Sequence, residues 1–284
     1  MNFSVARLAT SLIVILLLVV GGLWWHMGTD FSAPVPHAVG EAPAELGARD
    51  VAFDGVKGWL IPANGTAPCI VLMHGWRGDR TSMVDRARLF KAEGYSVLLF
   101  DFQAHGESPG DKITFGYREA ANAESAVNFI KANASCSRTV ALGVSMGGAA
   151  ALLGPKPLAV DALVLESVYP TIEEAVQNRM VQRFGALGKS LTPLLIQQLP
   201  MRLTIEPANM RPIDRIGELR CPVLVLGGKD DPLTPPDETM RLFDQAPGPK
   251  SYWLVPGAGH EDLYHVGGKD YEQHVLEFLN ATRR

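Results

Sequence analysis

The stretch "TVALGVSMGGAAALL" (Thr139–Leu153) joins an apolar run to a run of small residues through a single serine. The part up to Val144 is typical of a short buried strand, and the small residues after Ser145 would let a helix approach a sheet closely. Gly143 and Gly147 stand two positions either side of Ser145 and complete a G-x-S-x-G pattern. Such a pattern is either a serine nucleophile on a sharp turn or a coincidence of small residues, and the rest of the chain has to decide.

The same change from apolar run to helical segment recurs from residue 49 onwards. A hairpin is predicted around Asp54-Gly55, because this pair supplies the positive φ angles of a tight turn. Buried strands are predicted at 69–75, 95–102, 139–145, 161–167, 221–228 and 251–257, with helices at 81–93, 115–133 and 270–282. Continuous apolar strands that alternate with helices indicate a parallel sheet covered on both faces. We therefore predict an α/β fold for one large domain, residues 49–284.

One interval, residues 169–219, contains no buried strand. A structureless loop of that length is unusual in a compact domain, so we predict an inserted helical lid. Its apolar side chains either pack the lid onto the body or line an apolar substrate pocket, and both can hold together. These side chains are Leu194, Leu195, Ile196, Leu199 and Met201.

The N-terminal stretch Leu8–Trp25 contains 18 residues without a charge and follows Arg7. As a helix it would extend about 27 Å, close to the roughly 30 Å of a bilayer's hydrocarbon core. Trp24 and Trp25 stand where an interfacial aromatic belt is expected. We predict a transmembrane anchor over residues 1–27, with a cleavable signal peptide as the alternative, although no A-x-A site follows the apolar run.

Residues 28–48, which include Pro34, Pro36 and Pro43, are predicted to be a tether. Arg7 on the cytoplasmic side would place the domain on the periplasmic or extracytoplasmic side. The charges nearly balance, with 26 Lys and Arg against 30 Asp and Glu, and no long basic run is present. This balance argues against a nucleic-acid partner, so the expected partners are a small-molecule substrate and the membrane. The oligomeric state is left open.

A serine nucleophile needs an imidazole to take its proton and a carboxylate to orient that imidazole. The segment "VLVLGGKDDPLTPP" resembles the strand-end G-x-x-D-x-x-x-P pattern of the α/β-hydrolase family. Gly228 and Pro235 fit this pattern and select Asp231 as the acid, with Asp230 as the alternative. Glu166, after the preceding strand, is a less common position for the acid.

The segment "LVPGAGHEDLY" resembles the family's histidine loop and supplies His260 as the base. His265 and His274 are nearby competitors. His265 lacks the preceding glycine turn, and His274 falls within the predicted final helix, where a surface position is expected. Ser145, Asp231 and His260 would then follow one another in the chain order of α/β-hydrolases.

The loop His74-Gly75-Trp76-Arg77-Gly78 resembles the family's H-G-x-x-G loop. This resemblance implies an oxyanion hole made by the backbone N–H groups of Trp76 and Met146, with His74 bracing the loops. The segment "FDFQAHGES" resembles a family turn in which Asp101, Gly106 and Ser108 match, whereas Gln103 and Ala104 replace an arginine and a glycine. We interpret this turn as structural.

The resemblance covers residues of about 49–282 and implies an α/β-hydrolase fold with a mostly parallel sheet. The helical insertion and the ending "GHEDL" are most similar to the branch of monoglyceride lipases and serine aminopeptidases. The expected activity is hydrolysis of carboxylic esters of apolar or lipid-derived acids through an acyl-enzyme on Ser145. Neither a metal nor an organic cofactor is implied.

Three alternatives stay open or are disfavoured. A serine aminopeptidase would need a carboxylate for the substrate's α-amine, which Glu173, Glu174 or Glu206 could supply. A binding protein without catalytic activity on the same scaffold is disfavoured by the complete set of candidate groups. A haloalkane-dehalogenase type of reaction is disfavoured because that chemistry needs an aspartate in place of Ser145.

The chain contains three cysteines, Cys69, Cys136 and Cys221, which match no close-spaced metal pattern. Cys69 and Cys136 precede two strands that would be neighbours in this fold. A Cys69–Cys136 disulfide is therefore a hypothesis, consistent with an exported domain, and three buried thiols are the alternative.

Overall fold

The computed structural model describes residues 3–260 and 262–282, with side chains from residue 7 onwards. Residues 1, 2, 261, 283 and 284, which the predicted anchor and domain ranges include, lie outside the described residues.

Within the described residues, an eight-stranded sheet forms the centre of the domain, and a two-stranded ladder lies beside it. The strands are β1 (Val35–Pro36), β2 (Arg49–Phe53), β3 (Val56–Ile61), β4 (Ala67–Met73), β5 (Ser96–Phe100), β6 (His105–Gly106), β7 (Cys136–Val144), β8 (Ala162–Glu166), β9 (Val223–Gly228) and β10 (Lys250–Val255). Their order in the sheet is β10-β9-β8-β7-β4-β5-β3-β2. Neighbouring strands in the part β10-β9-β8-β7-β4-β5 pair in parallel. The β2–β3 hairpin is antiparallel, and β3 also pairs antiparallel with β5.

Helices cover both faces of the sheet. They are α1 (Phe3–Ser32), α2 (Val84–Ala92), α3 (Glu119–Asn133), α4 (Met146–Leu153), α5 (Ile172–Phe184), α6 (Leu187–Ile196), α7 (Gln198–Leu203), α8 (Pro212–Arg215), α9 (Pro236–Gln245) and α10 (Leu263–Ala281). Buried side chains of α2 and α10 form one apolar core with the sheet. Those of α3, α4 and α9 form a second core on the other face. The predicted α/β fold with a mostly parallel sheet is thereby confirmed.

Two helices begin later than predicted because local caps and turns set their starts. The side chain of Asp79 accepts from Thr81 N at 2.6 Å and caps a short 3₁₀ turn, so α2 begins only at Val84. Phe115 and Gly116 have φ angles of 55° and 103°, which an α-helix cannot contain, and α3 begins at Glu119.

The interval 169–219 folds into the helices α5 to α8 and two 3₁₀ turns. Of its five apolar side chains singled out from the sequence, Leu195 and Leu199 are buried, whereas Leu194 and Met201 are 45% and 58% exposed. The inserted helices, α5–α8, therefore contribute to the core and also present apolar surface.

Among the described residues, the stretch Arg7–Ser32 is the one helix long and apolar enough to cross a membrane, judged by length and composition. The helix α1 continues five residues beyond the boundary placed at residue 27. The chain that follows it also contacts the domain: β1 pairs with β6, and His37 Nε2 lies 2.8 Å from Asp79 Oδ2. The segment 28–48 is thus attached to the domain at several points.

A disulfide joins Cys69 on β4 to Cys136 at the start of β7, across a Cα–Cα distance of 5.4 Å. The two strands are neighbours in the sheet, as the hypothesis required. Cys221 is buried and unbonded to another cysteine, and burial raises the pKa of its thiol to about 11. The hypothesised pairing is confirmed.

Candidate functional site

Ser145 lies on the turn between β7 and α4, with φ of 50° and ψ of −112°. Neighbouring glycines make this conformation possible. A Cβ on Gly143 would lie 2.5 Å from Gly148 N, and one on Gly147 would lie 2.5 Å from Met73 O. No larger residue fits at either position, because such contacts are far inside van der Waals distance. The turn holds Ser145 at the carboxyl end of the parallel strands, where α/β folds place their sites.

His260 follows β10 and links the serine to a carboxylate. Its Nε2 lies 3.1 Å from Ser145 Oγ, and its Nδ1 lies 3.0 Å from Asp231 Oδ2. Because the carboxylate accepts at Nδ1, this nitrogen carries the proton and Nε2 is free to accept one from the serine hydroxyl. The three side chains therefore form a hydrogen-bonded series in which Nδ1 donates and Nε2 accepts, as the removal of a proton from Ser145 requires.

Asp231 lies on the loop after β9 and is 3% exposed. Its Oδ1 accepts from Leu233 N at 2.8 Å and Thr234 N at 2.9 Å, and its Oδ2 accepts from Thr234 Oγ1 at 2.6 Å. Burial alone would raise the pKa of Asp231, but the hydrogen bonds from His260 and Thr234 outweigh it and lower the pKa. The carboxylate therefore stays ionised beside the imidazole.

The competing residues lie elsewhere. Asp230 is exposed and Glu166 is buried, with Arg86 Nη2 at 2.6 Å from its Oε2 and Tyr271 donating to its Oε1. His265 pairs with Asp85 and Asp262 on the surface. His274 stacks on Trp253, with ring centroids 4.0 Å apart. Glu166 contacts Ser145 through its backbone, where Ser145 N donates to Glu166 O at 2.7 Å. Among the described residues, the hydrogen-bond partner of Ser145 Oγ is His260.

Trp76 and Met146 line the same cavity as Ser145, a narrow one with a free volume of about 20 Å³. Aromatic and aliphatic side chains make most of its wall, among them Phe31, Phe115 and Tyr169. A larger cleft, near Lys131 and Cys221, includes none of Ser145, His260 and Asp231. We therefore take the smaller cavity as the candidate binding site, because the candidate nucleophile Ser145 lines it.

His74 holds the loop that carries Trp76. Its Nε2 accepts from Phe102 N at 3.0 Å, so its Nδ1 carries the proton and donates to Gly75 O at 2.8 Å. Burial is the main cause that lowers the pKa of His74, to about 3, and the nearby His105 lowers it further. The neutral imidazole therefore braces two loops, as the sequence suggested.

This buried imidazole predicts a loss of stability in acid. Below pH 6.5 the unfolded chain binds a proton at His74, whereas the folded protein does not until about pH 3. Stability therefore falls as the pH drops through this window, by about 1.4 kcal/mol at pH 5.5 from this residue. Chemical unfolding of the detergent-solubilised chain at pH 7.5 and 5.5 measures it. His74→Asn should lose about 1.4 kcal/mol less than the wild type over this interval, and an equal loss would contradict the assignment.

Arg179 on α5 also lines the Ser145 cavity and was not foreseen from the sequence. Its guanidinium carbon lies 5.4 Å from the centre of the Trp76 ring, and its Nη1 donates to Ala175 O at 3.3 Å. Burial lowers the pKa of Arg179. One signal was present: Ile172, Ala175, Val176 and Arg179 follow the i, i+3, i+4, i+7 spacing of one helix face. An arginine on an otherwise apolar face points towards a buried site.

The turn after β5, in which Gln103 stands in place of the family's arginine, has structural contacts. Asp101 pairs with the buried Arg80 side chain and accepts from Arg80 N at 2.8 Å and Glu107 N at 2.9 Å. Ser108 Oγ donates to Asp101 O at 2.7 Å. Arg80 thus brings a positive charge to the Asp101 carboxylate from another loop.

Comparisons with known proteins agree with this architecture. Residues 70–271 match the profile of the alpha/beta hydrolase family. An uncharacterized protein of Mycobacterium tuberculosis (strain ATCC 25618 / H37Rv) is 32% identical over 262 residues, which cover 88% of this chain and 85% of its own. The protein bem46 of Schizosaccharomyces pombe is 24% identical over 243 residues, or 83% and 75% of the two chains.

A Pyrococcus furiosus esterase has a similar structure, with a TM-score of 0.72 and 23% sequence identity. The similarity covers 88% of this chain and 98% of that one. Together with the sheet order and the serine turn, the family match defines the class of protein. The chain belongs to the alpha/beta hydrolase family.

Proposed function

We propose that this chain is a serine hydrolase that cleaves carboxylic esters of apolar acyl groups. The observation that carries the proposal is the series Ser145–His260–Asp231, whose two distances are 3.1 and 3.0 Å and whose serine lines an apolar cavity. The structural similarity to proteins described as esterases agrees with it.

In the proposed mechanism, Ser145 Oγ attacks the ester carbonyl while its proton passes to His260 Nε2. The carbonyl oxygen becomes an oxyanion, which the backbone N–H groups of Trp76 and Met146 stabilise. The imidazolium then protonates the leaving alcohol, and the acyl group remains on Ser145. Water attacks this acyl-enzyme with His260 again as the base, which releases the acid and restores the serine.

Asp231 supports both steps from the far side of the imidazole. Its carboxylate is held in place by Leu233 and Thr234, so it fixes the orientation and tautomer of His260. Its negative charge stabilises the imidazolium that forms during each step.

The lining of the cavity favours an ester over an aminopeptidase substrate. An aminopeptidase has to hold a positively charged α-amine, which calls for a carboxylate. Among the described residues that line the Ser145 cavity, none is acidic, and the charged one is Arg179. A substrate ammonium would meet a like charge here.

The lid glutamates considered from the sequence have other contacts. The Glu174 carboxylate accepts from Oγ1 of Thr171, the N-cap residue of α5, at 2.9 Å and lies 2.5 Å from Arg241 Nη2. Glu173 lies 3.9 Å from Arg211. Glu206 is exposed. None of the three lines the Ser145 cavity.

The experiment compares turnover of p-nitrophenyl butyrate with that of proline p-nitroanilide by the full chain in detergent. We expect kcat/KM for the ester to exceed that for the anilide by at least about 100-fold, because the site offers no anchor for the amine. An anilide that is turned over as well as the ester would favour the aminopeptidase alternative. Turnover of neither compound, together with no labelling by a fluorophosphonate, would favour a non-catalytic binding protein.

We further propose that α1 anchors the protein, with the domain on the extracytoplasmic side. Arg7 before the apolar stretch supports this orientation. The Cys69–Cys136 disulfide supports it independently, because disulfides persist in oxidising compartments. Within the family, we place the chain in the branch of monoglyceride lipases and serine aminopeptidases, on its motif order and inserted helices.

A further inference from the structure

A second apolar cavity adjoins the one at Ser145. It has a free volume of about 20 Å³ and lies between the end of α1, which contributes Gly28 and Phe31, and the inserted helices, which contribute Leu195 and Leu199. Three residues line both cavities: Phe31, Phe115 and Val176. The two cavities therefore share a partition, and the second leads from Ser145 towards α1.

Hydrogen bonds hold the end of α1 over the site. Trp76 Nε1 donates to Phe31 O at 3.1 Å, and the two rings stack with centroids 5.7 Å apart. Arg77 Nη1 donates to Asp30 O at 3.0 Å. Residues 30 and 31 thus bind the loop that carries a proposed oxyanion donor.

The inserted helices hold α1 from the other side. Trp24 Nε1 donates to Leu194 O at 2.7 Å, and Gln198 Nε2 donates to Trp24 O at 2.9 Å. A Cβ on Gly28 would lie 2.2 Å from Gln198 Oε1, so α1 and α7 are in close contact. The anchor helix is therefore part of the structure around the site.

The same region presents apolar surface where α1 would leave a bilayer. Leu194 is 45% exposed and Leu187 is 71% exposed, on the helix that bonds Trp24. A tryptophan at this point of a membrane helix is typical of the interface. Exposed apolar side chains beside it would lie at the level of the lipid rather than in water.

We propose that residues 28–32 of α1 form one wall of an acyl-chain channel, and that the substrate is a membrane lipid ester whose chain enters along α1. The carbonyl lies at Ser145 and the chain passes Phe31 into the second cavity. Both cavities are narrow, so an entering chain has to displace the side chains that line them. A long chain then occupies both cavities and a short one only the first. This proposal rests on the esterase function proposed above.

The first test measures the chain-length preference of full-length variants in detergent. Phe31→Trp enlarges a side chain of the partition between the two cavities. We therefore expect the ratio of kcat/KM for p-nitrophenyl dodecanoate to kcat/KM for p-nitrophenyl butyrate to fall at least about 10-fold. Phe31→Ala should give a higher ratio than Phe31→Trp. The matched control is Phe184→Trp, which alters an exposed aromatic residue of α5 that lines neither cavity, and its ratio should stay within about 2-fold of wild type. An unchanged ratio in Phe31→Trp, or an equal fall in the control, would overturn the proposal.

The second test locates the chain directly. A dodecyl fluorophosphonate with a diazirine at the chain end is bound to Ser145, where the serine oxygen displaces fluoride from phosphorus. After illumination, mass spectrometry should find the cross-link on residues 28–32 or on α6–α7. Cross-links found only elsewhere would refute the channel while leaving the esterase function intact. The absence of a Ser145 adduct would instead refute the proposed function itself.

Discussion

Ser145→Ala is expected to lower kcat/KM for p-nitrophenyl butyrate by at least about 10⁴-fold, with the unfolding temperature changed by no more than about 2 °C. The reason is that Ser145 Oγ, 3.1 Å from His260 Nε2, is the proposed nucleophile, and no acyl-enzyme forms without it. The residual rate would come from water attack assisted by the oxyanion donors alone. Steady-state kinetics and thermal unfolding of the purified full chain measure the two quantities.

Ser167→Ala is the matched control for this variant. Ser167 is also a buried serine at a strand end with positive φ, 49°, and it follows β8, the neighbour of β7. Among the residues that the structure describes, its Oγ has no hydrogen-bond partner, so its removal should leave kcat/KM within about 3-fold of wild type. A Ser145→Ala protein that retains a tenth or more of the activity would exclude Ser145 as the nucleophile.

His260→Ala is expected to lower kcat/KM by at least about 10³-fold, whereas His265→Ala should change it by less than about 2-fold. His260 contacts both Ser145 and Asp231, and without it the hydroxyl has no base. The side chain of His265 is 60% exposed and pairs with Asp85 and Asp262. Exposed ion pairs contribute little, so its loss should also leave stability nearly unchanged.

The comparison of His260→Ala with His265→Ala is informative because both variants remove the same type of side chain from the same short segment. The ratio of their kcat/KM values, measured on one ester at one pH, separates the two candidate bases. If His265→Ala proves the more damaging, the choice of base is wrong and the distances at His260 have no catalytic meaning.

The strands were predictable because the local sequence of each one indicates that it is buried. Each parallel strand of the eight-stranded sheet contains a continuous apolar run, and β4 from Cys69 to Met73 is fully buried in the sheet. The ends of helices were less predictable, since they depend on single residues. Because Phe115 has a left-handed backbone conformation, α3 begins later than predicted, and nothing in the apolar pattern indicates that conformation.

The spatial grouping of Ser145, Asp231 and His260 required more than local pattern. Ser145 and His260 are 115 positions apart, and only the order of several motifs relates them. The choice of Asp231 over Asp230 depended on a proline four positions later, and the structure places the buried Asp231 beside His260 while Asp230 is exposed.

The wall contributed by Phe31 could not be predicted. It depends on contacts between α1 and the inserted helices, such as that of Trp24 with Leu194, which are 170 positions apart. An apolar helix gives the same hydropathy pattern whether its end packs on a domain or stays in solvent. Tertiary packing alone decides whether the end of such a helix packs on a domain. Tertiary packing also directs Arg179 towards the cavity.

The most direct test of the account is covalent labelling with a fluorophosphonate, followed by mass spectrometry of the digested protein. The account predicts one adduct, on the peptide that contains Ser145, and no labelling of the Ser145→Ala protein. Undiminished labelling of that variant, or an adduct on a different residue of the wild type, would contradict the assignment of Ser145.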